Sequence, residues 1–556
     1  MRDAHVTGIA HSAPRGDALA QPGMAARGDA PTRGDAVSRG HGAVPAPAGP
    51  GSRARVVIVG GGITGLAAAL ALKELADRER RPLQVTVVEQ ASRVGGKVRT
   101  YREHGFVMEA GPDSLLARKP AGLDLIRRLG VESELVGTSP QATKTYIAFR
   151  GRLEPIPPGT NMGIPTQWAP FARTRLLSPA GKARALWDLV LPRGQREGDE
   201  SVGAFLRRRV GDEVVEHIAE PLLAGIYAGR IDRLSLLATA PQFYRLEQEH
   251  RSLILGSIHD RRARAAQSLP GSSAGAKTAA SARSSESAPS ASAGNGGVRS
   301  AFVTLRSGLE TLIERLYDVL HPWADIRTRT AALSIQRAAH GYTVDITGPE
   351  GDERLEADAI IVATPAPAAA RLVGPLCPVA SRLENVRYIS TATVILGFRP
   401  GTVPADLDAS GFVVPRTEGL GITACTWVSS KWPHTAGGQG VLLRCYVGRD
   451  GQQEGLQLSD AEMVAMVRRE LERLIGLRTT PWFSLVTRWD HAMPQYDVGH
   501  LTLVSQVTDA VAQSLPGVVL AGAAYHGIGV PDCIADGRRA AEQVWSHVTH
   551  APAGPR

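Results

Sequence analysis

Between Val56 and Val59 four apolar side chains stand in an unbroken row, and from Ile63 the chain passes into small and apolar residues, ending LAAALALKEL. The row predicts a short strand buried on both faces, and the second stretch predicts a helix packed closely on it. Gln84–Val88 predicts a second strand, so the region reads as a βαβ unit. Far along the chain, Ala359–Ala363 is again continuously apolar, as a central parallel strand should be, and it stops at Thr364-Pro365. Near the end, Gly517–Leu520 reads as a strand running into a glycine loop. A helix follows, opening at or just after Pro531 and ending about Val548.

Between these segments the period changes repeatedly. Helical spacing marks Leu123–Leu129, Ala180–Leu191, Ser201–Arg209, Glu213–Leu223, Gly308–Leu320 and Asp460–Leu477. Thr343–Asp345 and Leu355–Ala363 read as strands. Ala392–Phe398, Gly411–Val414, Ile422–Val428 and Val441–Val447 are short β-like runs that suggest a mixed sheet in a second domain. Ala180–Leu191 carries Trp187 on its apolar face and Lys182 and Arg184 on its edge; it reads as a core-facing helix of a second domain, or one that lies on a membrane surface or lines a substrate entrance.

Composition removes two segments from the folded account. Residues 1–53 hold three RGDA repeats and almost no large apolar side chains, and 262–299 is an Ala/Ser/Gly tract. Neither can bury enough surface to offset the entropy of ordering, so both are expected to be disordered. They also carry much of the net charge of +9: net +2 in 1–53 and net +4 in 257–300. That placement argues against a nucleic-acid footprint. The four cysteines form no C-x-x-C pair and are expected to be buried in a reducing, cytoplasmic setting. No metal-ligand spacing occurs and no secretory leader pattern is seen. The uncharged run Val56–Leu72 is 17 residues broken by glycines, which suits a nucleotide turn better than a membrane span.

The candidate chemistry begins at that turn. Gly60, Gly62 and Gly65 have the spacing G-x-G-x-x-G between strand and helix. The first glycine suits a tight turn, the second lets backbone approach a pyrophosphate, and the third lets helix and strand pack closely. Glu89 closes the second strand 24 residues after Gly65, where such folds place a carboxylate on a ribose hydroxyl. Gly95-Gly96 and Glu109–Ser114 are further turns rich in special backbone conformations. The glycine loop and helix start near Pro531 form a second pole suited to negative charge.

The stretches GGGITGLAAA, RVGGKVRT, GPDSLLARK, MGIPT, FLRRRVGDEVVEHIAEPLLAGIYAG, SLILG, ITACTW, RWDHAMPQY and GIGVPDCI cover most of residues 55–548 in order. With them the chain resembles the flavin-dependent porphyrinogen oxidases, within the amine-oxidase-like FAD superfamily, and most of all the Gram-positive branch that oxidises coproporphyrinogen III. The resemblance implies an α/β fold: a Rossmann-like FAD domain completed by the C-terminal segment, an inserted mixed α+β substrate domain and a helical subdomain. The FAD domain would comprise 54–115, 226–261 with 300–370, and 501–548; the helical substrate-entry part 116–225; and the mixed-sheet substrate domain 371–500. FAD is the implied cofactor. Gly60, Gly61, Gly62, Ile63, Thr64 and Gly65 would meet the pyrophosphate, Glu89 the ribose, with Gln90 and Lys97 nearby. Gly111, Pro112, Asp113 and Ser114 would border the isoalloxazine, Thr330 would reach adenine through its main chain, and Ala523, Ile528, Gly529 and Val530 would hold the flavin from the far end of the chain. Arg118 and Lys119 are the choice for substrate propionates. His526 would line the flavin loop, and Trp427, Trp489 and Tyr496 read as core or substrate wall.

The resemblance also implies the reaction, oxidation of a porphyrinogen in heme biosynthesis with O₂ as acceptor and H₂O₂ released. No residue pattern names a catalytic base. Protoporphyrinogen IX oxidation, a flavin amine oxidase and a non-catalytic dinucleotide-binding or membrane-associated scaffold stand as alternatives. Implied partners are the porphyrinogen and O₂, with no nucleic acid, peripheral contact with the inner face of the cell membrane, and hand-off of product to a ferrochelatase.

Overall fold

The computed structural model describes residues 6–8, 53–194, 198–267, 300–403, 407–438 and 440–550. At its centre is a five-stranded parallel sheet in the order Asp325–Arg327, Leu83–Val88, Ala54–Val59, Ala359–Val362, Val518–Leu520. The unbroken apolar row has its reason here, because its residues serve two cores alternately. Val56 and Ile58 pack with the helices Ile63–Glu79 and Val530–His550. Val57 and Val59 face a three-stranded antiparallel meander and the helices Ala366–Val373 and His500–Ser514. The first and last helices of this domain cross closely at Gly537, where any Cβ would fall on the carbonyl oxygen of Thr64. Residues over 400 positions apart thus build one domain, as the sequence indicates.

The second sheet has eight strands, in the order Val6–Gly8, Phe483–Pro494, Tyr388–Phe398, Val441–Val447, Ile422–Trp427, Ala409–Val413, Lys144–Phe149, Arg152–Pro155. All its pairings are antiparallel except that of Ala409–Val413 with Lys144–Phe149. One face packs on the helix Asp460–Ile475, whose N-terminus is closed by a Ser459/Glu462 capping box. A helical layer from Trp168 to Gln267 has its own core around Phe205, Val214, Ile218 and Phe243. Inside it the Arg209 guanidinium is fully buried against Asp188 and Glu247.

Several elements differ from the sequence reading. Lys144–Pro155, placed in the helical segment 116–225, contributes two strands to the large sheet. Leu355–Ala363 is two strands rather than one: Asp358 turns the chain from the meander into the parallel sheet and accepts the Arg55 N–H at 2.8 Å. Glu213–Leu223 is not a regular helix; it widens into a π-turn over Val215–Ala219 and resumes as Glu220–Tyr227. Pro221, which lacks an N–H, sits at the junction. Ala180–Leu191 ends as helix at Leu186 and tightens into a 3₁₀ turn through Leu189. The helix Leu253–Gln267 runs six residues into the predicted 262–299 tract, whose remainder lies outside the described residues. Of the tail 1–53, Val6–Gly8 forms an edge strand on Phe483–Leu485 where no structure was expected; apart from Arg53, the rest lies outside the described residues. All four cysteines are buried and free. Among the described residues no helix is long and apolar enough to cross a membrane.

Candidate functional site

Gly60 has φ +108°, a conformation that L side chains rarely adopt, and its N–H donates to the Val88 carbonyl at 2.8 Å. A Cβ on Gly65 would land on the Gly60 carbonyl. Both glycines are therefore required by the turn itself. Open space lies where a Cβ on Gly62 would point. The helix that begins at Ile63 has no side-chain cap and no acidic residue in its first turn, so its N-terminal dipole and first N–H groups face outward uncompensated. Gly95 donates to the Gly61 carbonyl at 2.8 Å, which sets the second glycine turn against the first. Glu89 braces both sides, accepting from Gly61 N and Ala91 N at 2.8 Å each. Gln90 is exposed beside it. Thr330 is buried and its N–H donates to the Glu89 carbonyl at 2.9 Å, so only its carbonyl remains for a ligand. Burial lowers the affinity of the Lys97 ammonium for its proton, and among the described residues no carboxylate offsets this. A half-buried cation without a counter-charge, next to an uncapped helix start, fits a pyrophosphate-bearing dinucleotide.

The Glu109–Ser114 turn is held from the large sheet. The Ala110 carbonyl accepts from Trp489 Nε1 at 2.9 Å, Thr393 Oγ1 at 3.2 Å and an Arg444 guanidinium nitrogen at 3.3 Å, and the same Arg444 nitrogen also donates to the Gly111 carbonyl. Asp113 accepts from Lys431 Nζ at 2.9 Å and from Ser114 Oγ at 2.7 Å. Burial alone would raise the Asp113 carboxyl; the Lys431 and Arg444 charges and these hydrogen bonds outweigh it and hold the group well below the usual carboxylate range. Glu109 is the opposite case. Burial pushes it up to about 7, although Leu309 N and Thr100 Oγ1 donate to it.

The C-terminal loop approaches the same region. Tyr496 donates its hydroxyl to the Ala523 carbonyl at 2.8 Å and accepts from Gly527 N at 2.9 Å. Asp536 accepts from Gly522 N, His526 Nδ1 and Arg539 Nε at 2.7–2.8 Å, pinning the loop to the helix Val530–His550. Gly529 accepts the first helical bond from Cys533 N at 3.0 Å, which sets Ile528, Gly529 and Val530 at the helix entry. Lys119 is committed there too: its Nζ meets both Asp532 oxygens at 2.7–2.8 Å. A propionate would have to displace that pair. Arg118 lies half-buried beside it and also has a partner.

The structure thus brings the GPDS turn, Tyr496, Trp489 and the residues around Ala523–Val530 into one connected frame, while Trp427 packs into the core of the large sheet. Sequence reasoning missed Lys431, Arg444, Asp532 and Asp536. One signal was available: Arg444 is a lone charge inside the apolar strand VLLRCYV.

Fold and site together define an FAD-dependent oxidoreductase. The flavin-containing amine oxidoreductase family matches residues 63–545, and the chain belongs to it. It is 40% identical to the coproporphyrinogen III oxidase of Bacillus subtilis, over 89% of this chain and 98% of that one. It is 36% identical to the coproporphyrinogen III oxidase of Staphylococcus aureus, over 88% and 98%, and 31% identical to the protoporphyrinogen oxidase of Bos taurus, again over 88% and 98%. A solved structure from Exiguobacterium sp. 255-15, named as a candidate protoporphyrinogen oxidase, is 37% identical, covers 89% of this chain and 99% of that one, and superposes with a TM-score of 0.75. Cyclohexylamine oxidase from Brevibacterium oxydans, at 15% identity and a TM-score of 0.61, shares the fold.

Proposed function

We propose that this protein oxidises coproporphyrinogen III to coproporphyrin III in heme biosynthesis, with O₂ as acceptor and H₂O₂ as by-product. The observation that carries this reading is the end-to-end similarity to two coproporphyrinogen III oxidases at 36–40% identity. Bound FAD supplies hydride acceptance and reoxidation by O₂. The chain's own residues bind and orient. Gly60–Gly65 and the helix start beyond them take the pyrophosphate, Glu89 with Gln90 and the Thr330 carbonyl the adenosine end, and Lys97 a nearby negative charge. Gly111–Ser114, Ala523 and Ile528–Val530 flank the ring system. Arg118 meets a propionate, and Lys119 does so by exchanging Asp532. The face of the large sheet that carries Arg444 also holds the paired hydroxyls of Thr426 and Tyr446, 3.4 Å apart. No base is assigned, because tautomerism of the macrocycle can bring successive carbons to one face.

The test is anaerobic mixing with coproporphyrinogen III. Flavin bleaching, then porphyrin fluorescence on admitting air, is expected; an unchanged flavin spectrum sinks the reading. The bovine relative supports protoporphyrinogen IX as the second reading, and exclusive turnover of that substrate would establish it.

Peripheral membrane contact and hand-off to a ferrochelatase belong to the same proposal. Trp168, Trp187 and Val190 are 49%, 59% and 60% exposed, which supports a lipid-facing patch in the helical layer. The basic edge does not add to it: Lys182 donates to the Ala172 carbonyl, and Arg184 to the carbonyls of Arg207, Arg208 and Arg209. Co-sedimentation with anionic vesicles tests the patch, and recovery of the protein entirely in the supernatant refutes it.

A further inference from the structure

We propose that His250, His259 and Asp260 form a binding site for one divalent transition-metal ion, of the Zn²⁺, Ni²⁺ or Cu²⁺ class, between the helices Pro241–His250 and Leu253–Gln267. Each of the three residues offers one ligand atom, and these atoms all lie within 4.8 Å of one another. The ligands of a Zn²⁺ ion sit about 2.0–2.2 Å from it, and so roughly 3–4 Å from one another. Small side-chain rotations close the difference. The His259 and Asp260 side chains, 67% and 31% exposed, have room to make them. Two imidazoles with one carboxylate suit these borderline ions, whereas Mg²⁺ and Ca²⁺ favour oxygen ligands alone.

The two histidines stand nine positions apart in the sequence, with no familiar ligand spacing, and it is the chain reversal that assembles them. His250 is the last residue of its helix, and Arg251, with φ +64°, turns the chain into the next. The two helices then meet at Gly256, where a Cβ would fall 2.9 Å from His250 Cδ2. Gly256, His259 and Asp260 follow one another at i, i+3 and i+4. The helix face that receives the His250 ring is therefore the face that presents the other two ligands. The imidazole centroids lie 4.8 Å apart, with planes 39° from parallel. Among the described residues neither ring is hydrogen-bonded, so each keeps a nitrogen lone pair for a metal. Asp260 has a further partner within the protein, and a carboxylate can serve both that partner and an ion through its two oxygens.

The local charge favours a cation. The C-terminal end of the helix Pro241–His250 is the negative pole of its dipole. Glu249 Oε2 adds a carboxylate 3.9 Å from His250 Nε2, opposed in part by Arg245, 4.0 Å from the other oxygen of Glu249. A bound ion joins two helices through bonds that the unfolded chain lacks, and so clamps the end of the helical layer. The ion takes no part in the flavin chemistry, and the site does not rest on the proposed function.

The test uses the full-length, FAD-bound protein, stripped of metal by a chelator and titrated calorimetrically with Zn²⁺. The wild type should take up an ion at a site that His259→Ala weakens by about tenfold or more, a loss that even an outer-shell change can produce. His340→Ala, which removes an exposed histidine between two strands of the meander, should leave the affinity unchanged. Equal Zn²⁺ affinity in the wild type and His259→Ala, or no uptake at all, overturns the proposal. Cu²⁺ is the second probe, read by electron paramagnetic resonance. Nitrogen splitting from two imidazoles is expected in the wild type and from one in His259→Ala; splitting that is the same in both puts the ion elsewhere and overturns the site. Zn²⁺ should also raise Tm in the wild type and not in His259→Ala, and an equal rise in both overturns the clamp. Because the His259 side chain is exposed, the metal-free Tm of the variant should match that of the wild type.

Discussion

Trp489 Nε1 donates to the carbonyl of Ala110 at 2.9 Å, joining residues 379 positions apart in the chain. The bond ties the large sheet to the turn that precedes Asp113, and Thr393 and Arg444 converge on the same oxygen. A carbonyl with three donors is fixed in place before any ligand arrives.

Replacing Trp489 by Phe keeps an aromatic ring and removes one donor. Two donors remain on Ala110, so the loss of stability should be modest, about 1 kcal/mol. The larger effect should fall on flavin retention, read as a faster loss of yellow colour on dialysis than in the wild type. Equal retention at equal stability would show that the turn is held well enough without the indole.

Asp113 and Lys431 form a pair whose side chains are only 21% and 15% exposed. Lys431→Met leaves the carboxylate facing Arg444 alone, and Asp113→Asn leaves Lys431 without its acid. Each single change should cost about 3 kcal/mol in denaturant unfolding, at the low end for breaking a buried pair because both groups keep some contact with water. The double variant should cost clearly less than the sum of the two. Additive losses would mean the two groups act independently.

The parallel sheet and its glycine turn were legible in the sequence because each rests on local signals: the row Val56–Val59, the glycines at 60, 62 and 65, and Glu89 at the strand end. The supports of the site were not. Asp532 pairs with Lys119 across 413 residues and Lys431 pairs with Asp113 across 318, and nothing local announces either partner. Periodicity also mistook Leu355–Ala363 for one strand, since Asp358 breaks direction without a glycine or proline to mark it. The helix His500–Ser514 went unpredicted; Gly499 before it is its N-cap, yet no side chain closes its start.

Gly537 tests the domain closure. A Cβ there meets the Thr64 carbonyl in the first turn of the helix Ile63–Glu79, and backbone on both sides cannot yield cheaply. Gly537→Ala should push the C-terminal helix off the helix Ile63–Glu79, at about 1–3 kcal/mol or more. FAD affinity should fall together with thermal stability, because the clash lies beside the glycine turn proposed to take the pyrophosphate. A variant that binds FAD as tightly as the wild type would show that the crossing and the turn are not coupled.

His500 sets an acid limit on stability. Its ring is buried and stacks on Tyr496, with centroids 4.0 Å apart and planes 11° from parallel. Desolvation, the main cause, and His526 together lower its pKa to about 4, against smaller opposing effects from the Tyr525 backbone, Asp497 and Asp199. The unfolded chain protonates this ring near 6.5, the folded chain only near 4. Between those values the unfolded state binds more protons, so stability is full above about pH 6.5 and falls as pH drops toward 4. The His500 contribution to that loss is on the order of 2–3 kcal/mol. His500→Phe preserves the stack on Tyr496 and cannot take a proton. Its stability relative to wild type, from urea unfolding at several pH values, should therefore improve steadily as the solution is acidified from about pH 7 to about pH 4. A constant difference across that range would mean that His500 is protonated in the folded protein as readily as in the unfolded chain. The Tyr496 hydroxyl, which bridges Ala523 and Gly527, would then rest against a cation rather than a neutral ring.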